Sequence, residues 1–292
     1  MKNQLLLIAF SLTTLAACQK NDSFSAHVVP DGAVINGSKV TSRNTADSKS
    51  VVIVELLGPS GAVRTACTGA LVGKHSILTA AHCFDRQHVS NFASFRIVFA
   101  NQFGVNNSGL IRKGLLYKQH PLYNSNGRYN YDFAMAIFAG DAPRGFNPAQ
   151  MDSDTTADYG GAKLTVYGYG RSKDYTGREG EDLRDSVGVL HRGIVKVSSD
   201  YNQLGDLYLL KASSQSHVCQ GDSGGPHFYN RNGVTKIVGV TSATYGKALA
   251  NGQHSCLEFS QASKVAVNYA WFKNEERKAL AQYYPKFYLQ EL

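Results

Sequence analysis

Residues 217–226 read HVCQGDSGGP. Ser223 stands between an acid and two glycines, six residues after a histidine, His217. A serine hydroxyl is a weak nucleophile near neutral pH. It needs a base within hydrogen-bond reach and a further group to orient that base. The Gly-x-Ser-x-Gly elbow of α/β-hydrolases is one setting for such a serine. It requires a helix after the serine and the chain order Ser, acid, His. Both requirements fail. Gly224, Gly225 and Pro226 make a poor helix start, no Asp occurs after Ser223, and no His follows Glu258, the first Glu beyond it. The base and its orienting acid therefore lie upstream.

Two upstream stretches supply candidates. Residues 76–83 read SILTAAHC, and residues 119–138 read QHPLYNSNGRYNYDFAMAIF. His82 sits in the first, and Asp132 enters an apolar run in the second. In this order, with Gly221–Pro226 third, the stretches resemble the histidine, aspartate and serine motifs of trypsin- and chymotrypsin-type serine endopeptidases. The likeness covers roughly residues 34–282. It implies a catalytic triad in which His82 takes the Ser223 proton during attack on the scissile carbonyl and then gives it to the leaving amine. Asp132 would fix the His82 tautomer. Backbone N–H groups of Gly221 and Ser223 would form the oxyanion hole. Ser242 would support the aspartate, and Ser242-Ala243-Thr244 would pair with the substrate backbone as an added strand. A proteinase-like binding protein that has lost activity is the competing class, but such relatives lose residues that are all present here. His75, His88, His120 and His191 read as surface or core histidines.

Four cysteines, Cys67, Cys83, Cys219 and Cys256, follow Cys18. In an oxidising compartment an even count implies two disulfides, and spacing leaves three pairings open. The resemblance implies Cys67–Cys83 behind the histidine and Cys219–Cys256 beside the specificity pocket. No Cys-x-x-Cys pair is present, and FGVNNSG (103–109) lacks the acids of the family's calcium loop, so no metal or cofactor is expected.

The substrate-lining positions implied by the resemblance are His217, Val218, Gln220, Ser242, Ala243 and Thr244. Trypsin-like members carry an Asp six residues before the serine, which selects Lys or Arg. This chain has His217 there, so tryptic specificity is not expected. Thr244 stands where a wall glycine is common and would narrow the pocket. Glu258 is placed to approach His217 and alter its charge.

Residues 1–17 read as a signal peptide: Lys2 supplies the positive start, and an apolar run of roughly eleven residues, Leu5 to Leu15, follows. That run is too short for a bilayer, which needs about twenty residues. Leu15-Ala16-Ala17-Cys18 resembles the lipobox of bacterial lipoproteins, implying cleavage before Cys18 and its acylation. Residues 18–33 then form a lipidated tether or propeptide, anchoring an exported cell-envelope protein to a membrane. Val34-Ile35-Asn36-Gly37 resembles the family's mature N-terminus, whose amine pairs with the acid before the serine, here Asp222. Cut after Ala33, the chain would leave its anchor and be released.

The net charge of +8 belongs to the rest of the chain, because Lys2 and Lys20 balance Asp22 and Asp31 within residues 1–33. No concentrated basic run or nucleic-acid motif accompanies it, so no nucleic-acid partner is expected: the expected partner is a peptide or protein substrate, and the chain is expected to be a monomer.

From about residue 50 short apolar runs recur: VVIVELL (51–57), TGALV (68–72), FRIVFA (95–100), GLLYK (114–118), FAMAIFA (133–139), LTVYGYG (164–170), GVLHRGIVKV (188–197), LYLLK (207–211) and KIVGVTS (236–242). Strands at this spacing point to an all-β barrel or sandwich. The resemblance narrows this to two six-stranded antiparallel Greek-key barrels, about 34–150 and 151–262, followed by a C-terminal α-helix and tail over 263–292. Val265, Tyr269 and Phe272 share one helical face, and the helix is expected to pack on the second barrel. RSKDYTGREGEDLRDS (171–186) reads as an exposed, mobile loop.

Overall fold

The structure is a computed structural model describing residues 34–124, 129–183, 186–201, 207–211 and 216–285. The expected signal peptide, the tether, Cys18 and the end of the tail lie outside the described residues.

After a two-residue strand, β1 (Ser38–Lys39), six strands form the first barrel. They are β2 (Val51–Leu57), β3 (Val63–Leu71), β4 (Ser76–Thr79), β5 (Ser94–Val98), β6 (Ile111–Gln119) and β7 (Ala134–Phe138). They close in the order β2-β3-β4-β7-β6-β5, and every pairing is antiparallel. Closure pairs both edges of each strand and leaves no open ladder to aggregate. The β-branched run Val51–Val54 is fully buried, within the apolar cluster that also takes in Tyr167, Tyr169, Phe228 and Val240.

The second sheet contains β8 (Lys163–Gly168), β9 (His191–Tyr201), β10 (Leu207–Lys211), β11 (Pro226–Arg231), β12 (Val234–Tyr245) and β13 (Phe259–Lys264). Its order is β1-β9-β10-β13-β12-β11-β8, and β8 also pairs with β9 from Lys163↔Lys196 to Gly168↔His191. The six long strands therefore form a ring, with β1 added outside on β9. The N-terminal strand belongs to this second sheet, although the chain next enters the first barrel.

One helix, α1 (Val265–Tyr283), ends the described fold. It packs on β12 but also on β7 of the first barrel, which the sequence reading did not anticipate. The reason lies beyond its apolar stripe. Phe272 meets Phe133 edge to face with centroids 6.1 Å apart, and buried Glu276 accepts from Ser76 Oγ of β4. Beyond the helix, the Tyr284 hydroxyl donates to Phe138 O at 2.6 Å and its ring stacks on His75 at 3.8 Å. No helix among the described residues is long and apolar enough to cross a membrane.

The barrels share one apolar core, in which Tyr167, Tyr169, Phe228 and Val240 join the side chains of β2 to β7. Arg43 staples this junction. Its guanidinium donates to Val51 O (2.7 Å), Ser48 O, Ala100 O (2.6 Å) and Asn101 Oδ1 (2.6 Å), and to the Tyr169 hydroxyl (2.7 Å). It also lies 4.6 Å over the Phe146 ring. A planar fork with five donors suits this convergence of acceptors, and an ammonium does not. Arg43→Ala removes the donor of Ser48 O, Asn101 Oδ1 and the Tyr169 hydroxyl, and leaves Ala100 O with only the Tyr169 hydroxyl at 2.6 Å. It is expected to cost about 3 kcal/mol, seen as a thermal midpoint lowered by roughly 5–10 °C. Arg43→Lys should recover only a minor part. Thermal unfolding of the two variants checks both.

Candidate active site

The site lies where the two barrels meet. His82 follows β4 in a single 3₁₀ turn, Ala81–Phe84. Asp132 precedes β7 and has no exposed surface. Two donors of His82 grip its carboxylate: the backbone N–H at 2.8 Å to Oδ1, and ring Nδ1 at 2.6 Å to Oδ2. Ser242 Oγ donates to Oδ2 at 2.6 Å from the second sheet. The register of β12 against β13 slips between Thr241 and Ala243, leaving Ser242 out of the ladder and turned toward Asp132.

This surrounding decides the charges. Burial alone pushes Asp132 up. The His82 charge, the His82 and Ser242 hydrogen bonds and the His82 N–H together outweigh it and hold Asp132 below the usual carboxylate range. Burial likewise pushes His82 down, but the Asp132 charge and hydrogen bond outweigh it and raise His82 above its ordinary 6.5.

Ser223 sits on a turn locked to the first barrel. Its carbonyl accepts from Thr68 N at 2.8 Å, and Thr68 Oγ1 donates to Gly221 O at 3.0 Å. A Cβ at Gly224 would lie 2.0 Å from Thr79 Oγ1 and 3.0 Å from Ala80 N, so the turn abuts the residues just before His82. No hydrogen bond joins Ser223 to His82 in this structure, and His82 Nε2 lies 4.0 Å from Cys83 Sγ. Among the described residues, the N–H groups of Gly221 and Ser223 have no protein acceptor. Gly221 has φ +97°, and a Cβ there would come within 2.6 Å of Gly170 Cα, so only glycine fits.

Between these two residues, Asp222 is fully buried. It accepts from Cys219 N and Gly170 N, both at 2.8 Å, and from the Val34 N–H. Burial nevertheless dominates and pushes Asp222 up to about 7. Val34 is itself buried against the second core, and Ile35 forms a bridge with His217, whose N–H donates to Ile35 O at 3.0 Å.

The two disulfides are Cys67–Cys83 and Cys219–Cys256. The first clasps β3 to the turn that carries His82. The second joins the serine turn to the segment before β13. The only clusters of potential metal ligands among the described residues each contain one of these bonded pairs, so their sulfurs are not thiolates available to a metal.

Around the expected substrate pocket, His217 is 8% exposed and Val218 is buried, while Gln220 is exposed and Ala243 and Thr244 are half-buried. Burial pushes the His217 imidazole down, opposed by the charge of Asp174. The carboxylate whose charge acts on His217 is therefore that of Asp174, on the segment after β8. Glu258 is exposed, and its backbone N–H is held by Tyr245 O at 3.2 Å. Within residues 171–183 the chain is tied at several points: Arg171 N–H donates to Gln220 O, Asp174 accepts from Ser255 and Cys256, and Glu181 accepts from Thr176 N–H.

From the sequence His88 reads as a surface or core histidine, yet its ring centroid lies 6.3 Å from that of His82. It pairs with Asp85 at 3.0 Å and the Tyr129 hydroxyl at 3.2 Å. Nothing local in the sequence marked it. Nor did anything mark Thr68, which sits mid-strand and holds the serine turn. His120 lies behind Tyr131 with its ring stacked at 4.8 Å, and burial pushes it down to about 4. His191 bonds Val189 O at 3.1 Å.

Residues 35–265 match the protein family described as Trypsin. The chain is 26% identical over 235 residues to trypsin zeta of Drosophila erecta, a match spanning 75% of this chain and 82% of that protein. It is 25% identical over 225 residues to trypsin iota of Drosophila melanogaster, across 76% and 82% of the two chains. A trypsin-like protease of Streptomyces glaucescens is 30% identical over 199 residues, across 63% and 66%. With the mostly β fold, the closed six-stranded barrel and the two disulfides, these likenesses establish that the chain belongs to the trypsin family and is a serine endopeptidase.

Proposed function

We propose that peptide bonds are cut through Ser223 as nucleophile, His82 as general base and then acid, and Asp132 as its orienting anion. The observation that carries this reading is the buried Asp132 carboxylate, bonded twice to His82 and once to Ser242 beside a serine turn with two free N–H groups. Attack by Ser223 Oγ on the carbonyl carbon passes the hydroxyl proton to His82 Nε2. The imidazolium that forms is stabilised by Asp132. The oxyanion is received by Gly221 and Ser223 N–H, each donor worth about 3 kcal/mol in the transition state. Collapse expels the amine, which takes the proton from His82. Water then attacks the acyl-enzyme by the same route in reverse. The added-strand segment Ser242–Thr244 aligns the peptide, and His217 with Thr244 receives the side chain before the cut, which is not selected as Lys or Arg.

Activation follows from Asp222. A buried carboxylate facing only N–H dipoles lacks a cation. The new ammonium of a chain beginning at Val34 would supply it where the Val34 N–H now points. The proposal places this cut after Ala33 and the acyl anchor at Cys18, so cleavage would also release the enzyme from the cell envelope. N-terminal sequencing of active enzyme should read Val34, and an active chain still starting at Cys18 would overturn the release reading.

Three outcomes are expected. Ser223→Ala abolishes turnover of a diverse peptide mixture read by mass spectrometry, while folding is retained. A binding protein would keep its function in that variant. Asp132→Asn lowers kcat by about four orders of magnitude, the size known for this family. In the parent, kcat/KM rises with pH through the raised pKa of His82, because only the neutral imidazole accepts the serine proton.

The uncut chain should lose stability as pH rises. Asp222 titrates at about 7 when folded and near 4 when unfolded. The folded state therefore holds the extra proton between those values. The contribution is complete below about pH 4 and gone above about pH 7, a loss on the order of 4 kcal/mol. Thermal unfolding between pH 5 and 8 should show this slope in the uncut chain, and a much flatter one after cleavage or in Asp222→Asn. Equal slopes in all three would refute it.

A further inference from the structure

The segment after β8 reaches the primary pocket through one carboxylate. Asp174 Oδ1 accepts the Cys256 N–H at 3.0 Å, and Oδ2 accepts from Ser255 Oγ. A carboxylate oxygen lies within 4.8 Å of both sulfurs of the Cys219–Cys256 disulfide. From that disulfide the contacts lead straight to the pocket. Cys256 Sγ is 3.7 Å from Thr244 Oγ1, and Gln220 Oε1 lies 2.9 and 3.1 Å from the two sulfurs. The charge of Asp174 also acts on His217. The base of the segment is fixed independently. Arg171 N–H donates to Gln220 O at 3.0 Å, and its guanidinium stacks on Tyr175 at 4.2 Å. Asp174 is thus held from behind and presents its acid to a turn 82 residues further along the chain.

That turn has limited support of its own. Between β12 and β13 the chain passes through Gly246, where a Cβ would lie 1.9 Å from Ser255 O, and Ser255 N–H bonds Lys247 O at 3.1 Å. Among the described residues, the Cys256 N–H has Asp174 as its one acceptor. Removing the carboxylate takes away the acceptor of this N–H and of the Ser255 hydroxyl, which keeps only the Leu257 N–H that it accepts at 3.1 Å, and the wall that carries Thr244 loses its outer brace.

We propose that Asp174 is a positioning residue for peptide hydrolysis: it holds the Ser255–Cys256 turn, and through the disulfide the Thr244 wall and His217, in the form that receives the substrate side chain before the cut. It touches no reacting atom, and the inference rests on the active-site reading above. Asp174 therefore acts on substrate binding and leaves unchanged the His82–Asp132 pair, whose hydrogen bonds and charge partners do not include it.

The test uses the enzyme as isolated in its active form, with active sites counted by a serine-directed sulfonyl fluoride, and kcat and KM measured separately on the best peptide from the mixture. Asp174→Ala should raise KM by roughly tenfold or more, with kcat per titrated serine within about threefold of the parent. Asp174→Asn keeps an oxygen for the Cys256 N–H and should return KM to within about threefold of the parent. A parental KM in Asp174→Ala, or a loss confined to kcat, overturns the inference. Failure of Asp174→Asn to restore KM does so as well. Should Asp174→Ala not fold, Ser255→Ala decides: a KM raised severalfold at unchanged kcat supports the brace, and an unchanged KM overturns it. A parent without Ser223-dependent turnover would overturn the active-site reading and this inference together.

Discussion

A carboxylate with no exposed surface has to be surrounded by donors, and at Asp132 they come from both halves of the protein. His82 supplies two from the first barrel, and Ser242 supplies one from the second. Ser263 Oγ of β13 also holds the Asp132 carbonyl at 3.0 Å. Transfer of a bare carboxylate into such an interior would cost several kcal/mol. The barrels therefore dock in the one arrangement that completes the shell. That docking also presents the imidazole to the cleft. Stability and proposed chemistry are coupled at this residue: the donors that make Asp132 tolerable are the ones that set the tautomer of His82.

A second buried acid follows the opposite logic. Asp222 receives only backbone dipoles, and its pKa rises where that of Asp132 falls. A third is paired outright. Asp200 meets Lys264 at 2.7 Å with both side chains 1% exposed, and the same ammonium donates to Ala157 O. The three sites differ in what compensates them, which is a hydrogen-bonded imidazole, a set of N–H groups or an ammonium. Only the second leaves an opening for a cation to be added.

Much of the fold was legible in the sequence. β2 and β10 occupy the stretches VVIVELL and LYLLK that the apolar pattern marks, and seven others overlap a marked stretch, with ends up to about five residues apart. The strands that escaped have physical reasons. β4 is four residues long, and β11 begins on Pro226 and ends in Asn230 and Arg231. In β13, FSQASK, most residues are polar yet buried, because Ser263, Lys264 and Gln261 each find a partner from another strand or loop. Periodicity cannot report burial achieved by pairing rather than by apolarity. The site divides in the same way. His82, Asp132 and Ser223 stand in local motifs, whereas Asp174, Thr68 and His88 gain their place from contacts made across the chain, which leave no local mark.

Thr68 has a consequence for how such a molecule can fail. A single residue of β3 holds Ser223 O through its N–H and Gly221 O through its hydroxyl. The alignment of serine with histidine is thus a property of the seam between barrels and not of either barrel. Neither half is a partial enzyme. Any change that shifts one barrel against the other would therefore part Ser223 from His82 even with the strand ladders of both sheets intact.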